Sequence, residues 1–269
     1  MRKILTSMAA LAALTATASA ADLPRRALQP VPAPLPVFTW TGAYFGINAG
    51  YITSTQDTAY TAGTLVSRRV IFPSSYTSTI PLPRDGFTGG GQVGYNYQVT
   101  PGSGFVVGVE ADAAYTDLKR TRSFQSKVIG NNTYSQSGDY LGTVRGRLGY
   151  AVDRTLFYAT GGFAYANQIY RGSLFQFAGL PPVFFGTRSR TETGYAVGGG
   201  VEYALPTDSF LNVFHSNAVT VKAEALYYDL GSRTVPLLPI IGNFGSFATR
   251  FRNEGVLGRV GLNYKFGSY

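Results

Sequence analysis

Tyr140-Leu141-Gly142-Thr143-Val144-Arg145-Gly146-Arg147-Leu148-Gly149-Tyr150 is the stretch whose alternation decides the fold. Tyr140, Val144, Leu148 and Tyr150 share one parity, while Thr143, Arg145 and Arg147 share the other. A period of two with one apolar face marks a half-buried strand. The two tyrosines stand at its ends. Ten residues of strand cover about 33 Å, or about 25 Å of bilayer normal at a tilt of roughly 40°. That is the height of the apolar band between the aromatic girdles of a membrane-spanning strand. A water-soluble core would carry its aromatic residues mid-strand.

The same alternation continues on both sides. In Gly104 to Thr116, Phe105, Val107, Val109, Ala111, Ala113 and Tyr115 oppose Gly108, Glu110 and Asp112. Asn217 to Leu230 sets Val219, Val221, Ala223, Ala225 and Tyr227 against Lys222 and Glu224, and Arg252 to Phe266 sets Val256, Val260, Leu262, Tyr264 and Phe266 against Arg259, Asn263 and Lys265. With similar segments at about 41–51, 87–98, 155–167 and 192–204, the pattern predicts eight strands of ten to fourteen residues. Their connections alternate in length. Thr100-Pro101-Gly102-Ser103 and Asp153-Arg154 are tight and 205–216 is intermediate, whereas 52–85, 117–137, 168–190 and 231–251 are long. Gly91-Gln92-Val93-Gly94-Tyr95, Gly146-Arg147-Leu148-Gly149-Tyr150 and Gly199-Gly200-Val201-Glu202-Tyr203 repeat on strands that run into short turns, and Gly258-Arg259-Val260-Gly261 follows. Such a unit is a hairpin, and four hairpins close a barrel of eight. The expected fold is an all-β, eight-stranded antiparallel transmembrane barrel with short periplasmic turns and long extracellular loops.

Composition narrows the function. The chain has 33 Gly, 19 Tyr and 18 Phe in 269 residues, with 14% charged residues and a net charge of +9. The absence of Cys excludes disulfides, thiolate nucleophiles and Cys-ligated metals. A single His leaves little for general-base catalysis or metal binding. His215 also falls at the short-turn end, away from the leaflet in which a lipid-modifying barrel would need it. No enzyme activity, cofactor or metal is expected. At the N-terminus, Arg2 and Lys3 precede the apolar Ile4 to Ala18, and Ala18-Ser19-Ala20 supplies a cleavage site, so 1–20 reads as an export signal. Its removal leaves 21 basic against 14 acidic residues, or +7. Residues 21–39 contain Pro24, Pro30, Pro32, Pro34 and Pro36 and read as a polyproline-like periplasmic lead-in. It is either an unstructured leader or a tether toward peptidoglycan. The barrel is expected over 40–269.

Four features could carry chemistry. Gly89-x-Gly91-x-x-Gly94 matches a dinucleotide fingerprint by letter, but it lies within an alternating strand, where small residues make room for large neighbours. The inward parity gathers Glu110, Asp112, Glu202 and Glu224 with Arg145, Arg147, Lys222 and Arg259. In so narrow a lumen they are expected to pair, as a salt-bridged plug or as a gate whose arginines change carboxylate partners. The long connections carry Arg68, Arg69, Arg84, Lys119, Arg120, Arg122, Lys127, Arg171, Arg188, Arg190, Arg233, Arg250 and Arg252. Nine of these, Arg68, Arg69, Lys119, Arg120, Arg122, Arg188, Arg190, Arg250 and Arg252, form the expected collar for lipopolysaccharide phosphates. Two connections are apolar: Leu174-Phe175-Gln176-Phe177 with Leu180 to Phe185, and Val235 to Ile241 with Phe244 and Phe247. These either mark a partner site or pack together over the barrel mouth.

Across about 40–266 the chain resembles the small alphaproteobacterial outer-membrane proteins, the Brucella-type and rhizobial RopB-like group. The resemblance rests on Trp40-Thr41-Gly42-Ala43-Tyr44-Phe45-Gly46, Gly89-Gly90-Gly91-Gln92-Val93-Gly94-Tyr95-Asn96-Tyr97, Gly108-Val109-Glu110-Ala111-Asp112, Gly142 to Tyr150, Gly200-Val201-Glu202-Tyr203-Ala204 and Leu226-Tyr227-Tyr228-Asp229-Leu230-Gly231. It implies an OmpA-like barrel with roles in envelope integrity or host contact, and a porin-family description. The terminal Arg259, Gly261, Tyr264 and Phe266 also resemble the β-signal read by the outer-membrane assembly machinery, although Gly267-Ser268-Tyr269 follow the usual aromatic end. The leading expectation is a structural envelope component anchored in lipopolysaccharide. The alternatives are a narrow porin-like pore and surface binding of a host molecule or a hydrophobic ligand such as haem. Outer-membrane lipid and the assembly machinery are the expected partners, and nucleic acid is not one.

Overall fold

A computed structural model describes residues 37–55, 58–65, 75–126, 130–176, 180–206, 209–240, 242 and 245–267. The expected export signal and residues 21–36 of the Pro-rich lead-in lie outside the described residues. The strands are β1 (Gly42–Ser54), β2 (Thr58–Leu65), β3 (Ser75–Pro81), β4 (Asp85–Gln98), β5 (Ser103–Ser126), β6 (Gly130–Val152), β7 (Thr155–Gln176), β8 (Phe184–Ala204), β9 (Ala218–Pro239) and β10 (Gly245–Phe266). Eight of them form an antiparallel ring in the order β1-β4-β5-β6-β7-β8-β9-β10, which β1 and β10 close on each other. Closure removes the sheet edges that a bilayer cannot solvate.

Alternation places the residues as their parity requires. Ile47, Phe87, Val109, Leu148, Phe157 and Val260 point outward and are exposed, an apolar belt suited to contact with lipid. Aromatic side chains pair across strands at both rims, as in Phe105–Tyr150 (5.3 Å) at the periplasmic end and Tyr51–Phe87 (5.4 Å) at the other. The glycines of the fingerprint-like stretch serve packing: a Cβ on Gly94 would collide with the Tyr44 ring. Asp153 takes a left-handed φ of 51° in the two-residue turn between β6 and β7.

The strands run on where the sequence pattern ends them at the upper girdle. β5 and β6 extend to 24 and 23 residues, and β7 to 22, so much of the long connections is ladder that stands outside the membrane. In water the extended backbone still gains from pairing, and alternation persists, with Leu118, Tyr134 and Gln136 facing in. Register slips collect where strands leave the girdle: beside Tyr115 on β5, between Gly138 and Leu141 on β6, and between Arg252 and Glu254 on β10. A wider break separates β8 from β9 between Phe185 and Tyr195. The hairpin β2–β3 is an element the sequence pattern does not predict. It pairs Ala59–Leu65 with Gly245–Phe251 of β10, above the point at which β1 leaves that strand.

The segment before β1 closes the periplasmic mouth. Trp40, with 1% of its surface exposed, packs on Val106, Ala151, Leu156, Tyr158 and Ala204. Its indole N–H donates to the Asp153 carbonyl (3.3 Å), and its backbone N–H donates to Gln98 Oε1 (2.7 Å). Trp40 is the sole Trp of the chain, so its fluorescence reports this closure. Folded protein is expected to show blue-shifted emission poorly quenched by acrylamide, shifting red in denaturant. Red, freely quenched emission from folded protein would place the segment outside the mouth.

Candidate functional site

The eight predicted lumen residues come together in one cluster halfway down the ring, with their side chains at most 3% exposed. Arg145 is its hub. One Nη2 lies 2.6 Å from Glu110 and 3.0 Å from Asp112, and Nη1 lies 2.7 Å from Glu224. Arg259 joins Asp112 (2.9 Å) to Glu224 (2.7 Å), while Lys222 lies 2.9 Å from Glu110. Arg147 reaches Glu202 at 2.6 Å, and its guanidinium carbon sits 3.9 Å from the centre of the Tyr158 ring. Among these eight residues four charges of each sign cancel, and each carboxylate has at least one cation in direct contact. Buried ions need that neutrality, because a lone charge removed from water costs several kcal/mol.

Neutral partners complete the layer, and they were not singled out from sequence. Tyr44 donates its hydroxyl to Glu110 (2.8 Å) and accepts from Arg147 (2.6 Å). Thr143 donates to Asp112, and Asn263 donates to Glu202 (2.9 Å). Asn48 and Gln92 bond to each other at 2.9 Å. Thr143 and Asn263 share the polar parity of Arg145 on β6 and Arg259 on β10, and the signal for Tyr44, Asn48 and Gln92 was the parity of β1 and β4, whose inward members oppose Phe45, Ile47 and Val93.

Above the ions lies an apolar layer of Ile52, Leu118, Leu141, Leu226, Tyr228 and Leu257. A second polar layer follows. Here Arg84 is buried, donating to Gln168 (3.2 Å) and to Asn253 (3.3 Å). This corrects its expected place among the loop cations: Arg84 precedes β4 by one residue and points into the lumen. Gln136 also donates to Asn253, which donates in turn to Tyr170. Burial pushes the Tyr134 and Tyr170 phenols up to about 12, so both stay protonated hydrogen-bonding groups at neutral pH. An aromatic cap covers this layer. Leu174, Phe175, Phe184, Val235, Leu237 and Phe247, drawn from the two apolar connections, pack with Tyr134, Tyr170 and Phe251. Both connections therefore turn inward over the mouth, while Leu180, Phe185 and Leu238 stay exposed. Phe177, Ile241 and Phe244 lie outside the described residues.

The expected collar divides. Lys119, Arg122, Arg250 and Arg252 are exposed above the girdle, and Arg120 is half-buried. Arg188 and Arg190 are exposed too, but they share the parity of the buried Glu192 on the part of β8 that lacks a β9 partner. Arg233 pairs with Glu192 across that break. Arg68, Arg69 and Lys127 lie outside the described residues. Of the assembly-signal residues, Arg259 and Gly261 face the lumen, whereas Tyr264 and Phe266 face outward at the periplasmic end of β10, where Phe266 stacks on Phe45 (5.5 Å). His215 is exposed in the connection between β8 and β9 at the same end.

The sequence is similar to those of known outer-membrane proteins. The chain is similar to a 31 kDa outer-membrane immunogenic protein of Brucella melitensis, with 33% identity over 96% of this chain and 98% of that protein. A 22 kDa outer membrane protein of Rhizobium leguminosarum is 29% identical over 66% of each chain. Among solved structures, the outer membrane protein OprG of Pseudomonas aeruginosa superposes with a TM-score of 0.48 at 14% identity, covering 85% of this chain and 97% of that one. The model of the outer membrane protein beta-barrel domain matches residues 6–266, and the chain belongs to that family of outer-membrane barrels.

Proposed function

We propose that this protein is a closed structural barrel of the outer membrane. It would strengthen the envelope, hold lipopolysaccharide through its basic rim and present its capped extracellular end, without catalytic activity. The observation that carries this reading is the stacking of the lumen: an aromatic floor at Trp40, a neutral ion cluster, an apolar layer, a second polar layer and an aromatic cap. Each layer lies across the path a solute would take. Folding into the membrane would depend on the assembly machinery through Arg259, Gly261, Tyr264 and Phe266, and the Pro-rich lead-in would serve as a tether toward peptidoglycan.

Planar-bilayer recording of the refolded protein tests the closure. The expected result is a quiet membrane without a steady open level. A stable conductance that changes on Arg145→Ala or Glu110→Ala would overturn the closed reading in favour of a narrow pore.

A further inference from the structure

The basic rim contains a built recess. Thr58 and Tyr60 of β2 with Arg250 and Arg252 of β10 line a cavity of about 400 Å³. It opens on the outer face, since Thr249, Phe251 and Asn253 on the opposite parity are buried in the lumen. Two residues apart on one strand face, the arginines rise from points about 7 Å apart. The register sets Tyr60 directly opposite Arg250. Arg250 is held in place, because its Nε and Nη2 donate to Ser232 Oγ at 2.9 and 2.7 Å. Those bonds use part of a guanidinium that has five N–H donors. Arg252 lies 3.8 Å from a Glu254 carboxylate that also accepts from Tyr227 (3.3 Å).

We propose that this recess binds a phosphorylated sugar of the lipopolysaccharide around the barrel. The proposal rests on the lipopolysaccharide-holding role of the rim and assigns it a site. Two adjacent guanidinium groups suit a phosphate, which they grip with paired N–H bonds. A tyrosine ring and a threonine hydroxyl beside them suit the apolar face and hydroxyls of a sugar. The volume lies at the lower end of the range for small-ligand pockets. Height agrees as well. Val256 pairs with Tyr227, which meets Tyr195 (6.3 Å) in the upper aromatic girdle, and Arg252 stands four residues beyond Val256. That is about 13 Å along the strand and about 10 Å along the normal at a tilt near 40°. Headgroups add roughly 5–8 Å to each side of the hydrocarbon, so the recess opens where the saccharide of the leaflet begins.

The test measures binding of purified lipopolysaccharide, of the same material after phosphatase treatment, and of a sulfated glycan to refolded protein in detergent micelles. It compares the intact chain with Arg250→Gln/Arg252→Gln, Tyr60→Ala and Arg188→Gln/Arg190→Gln, all checked for the heat-modifiable gel mobility of a folded barrel. Charged hydrogen bonds at a partly exposed site predict a loss of roughly tenfold for the Arg250/Arg252 pair. Tyr60→Ala should lose a few-fold, and Arg188/Arg190 less than twofold. Phosphatase-treated material should bind the intact chain and the Arg250/Arg252 variant equally. If the intact chain binds lipopolysaccharide but the two arginine pairs weaken it alike, the recess is wrong and a diffuse rim remains. Absence of lipopolysaccharide binding by the intact chain would overturn the rim reading and the recess together. Binding of the sulfated glycan alone through Arg250 and Arg252 would overturn the assigned ligand.

Discussion

Arg145→Met should cost about 3–5 kcal/mol of folding stability, the loss typical of a buried ion network deprived of one partner. Arg145 touches Glu110, Asp112 and Glu224 at 2.6–3.0 Å. Without it Arg147, Lys222 and Arg259 still serve those carboxylates, but the cluster carries one uncompensated negative charge among buried groups. Urea unfolding in phospholipid vesicles measures the loss. Charge balance supplies the control. Arg145→Met/Glu224→Gln restores neutrality with a side chain of nearly the same shape, so the double variant should recover 1–3 kcal/mol relative to the sum of the singles, the coupling expected of residues in one network. If Arg145→Met unfolded within about 0.5 kcal/mol of the intact chain, the lumen would be hydrated well enough to solvate the charge. The closed reading would then fail.

The second large effect is expected at the cap. Phe247 is 3% exposed and lies 4.8 Å from Phe184 and 5.6 Å from Phe175, ring centre to ring centre. Phe247→Asp places a carboxylate in that cluster without a cation near enough on the cap residues to pair with it, at a cost of several kcal/mol. The ring within the membrane does not depend on this contact, because β10 exchanges β2 for β1 as its partner below Phe251. The damage should therefore stay local. Protease added outside vesicles is expected to cut the extracellular extensions of the variant while the membrane portion keeps its folded gel mobility. Resistance equal to that of the intact chain would show that the cap does not hold the extensions together.

Much of this was legible from residue order because a barrel strand is read by parity. Glu110 and Arg145 are directly opposed across β5 and β6, and their inward parity follows from the apolar residues that flank each of them. The lipid-facing belt and the girdles were legible for the same reason: in a bilayer the outer face is chosen by solvent, residue by residue. Arg84 was misplaced because the apolar contrast of this strand starts only near Phe87, so the inward parity that Arg84 shares with Thr88 and Gln92 lay in what read as a long connection. The β2–β3 hairpin escaped notice because Thr58–Leu65 and Ser75–Pro81 lack an apolar face of contrast, being rich in Thr, Ser, Ala and Gly.

The sequence by itself determined which side of each strand meets lipid, because burial in a two-sided wall alternates with the pleat whatever the neighbours are. The tertiary structure alone decided which ions meet, that the apolar connections fold inward as a cap, and that Trp40 closes the opposite mouth. Those outcomes depend on strand register and on contacts between residues as distant as Arg259 and Asp112, joined at 2.9 Å. No local pattern encodes such a meeting; it appears when the ring closes and brings the inward faces together.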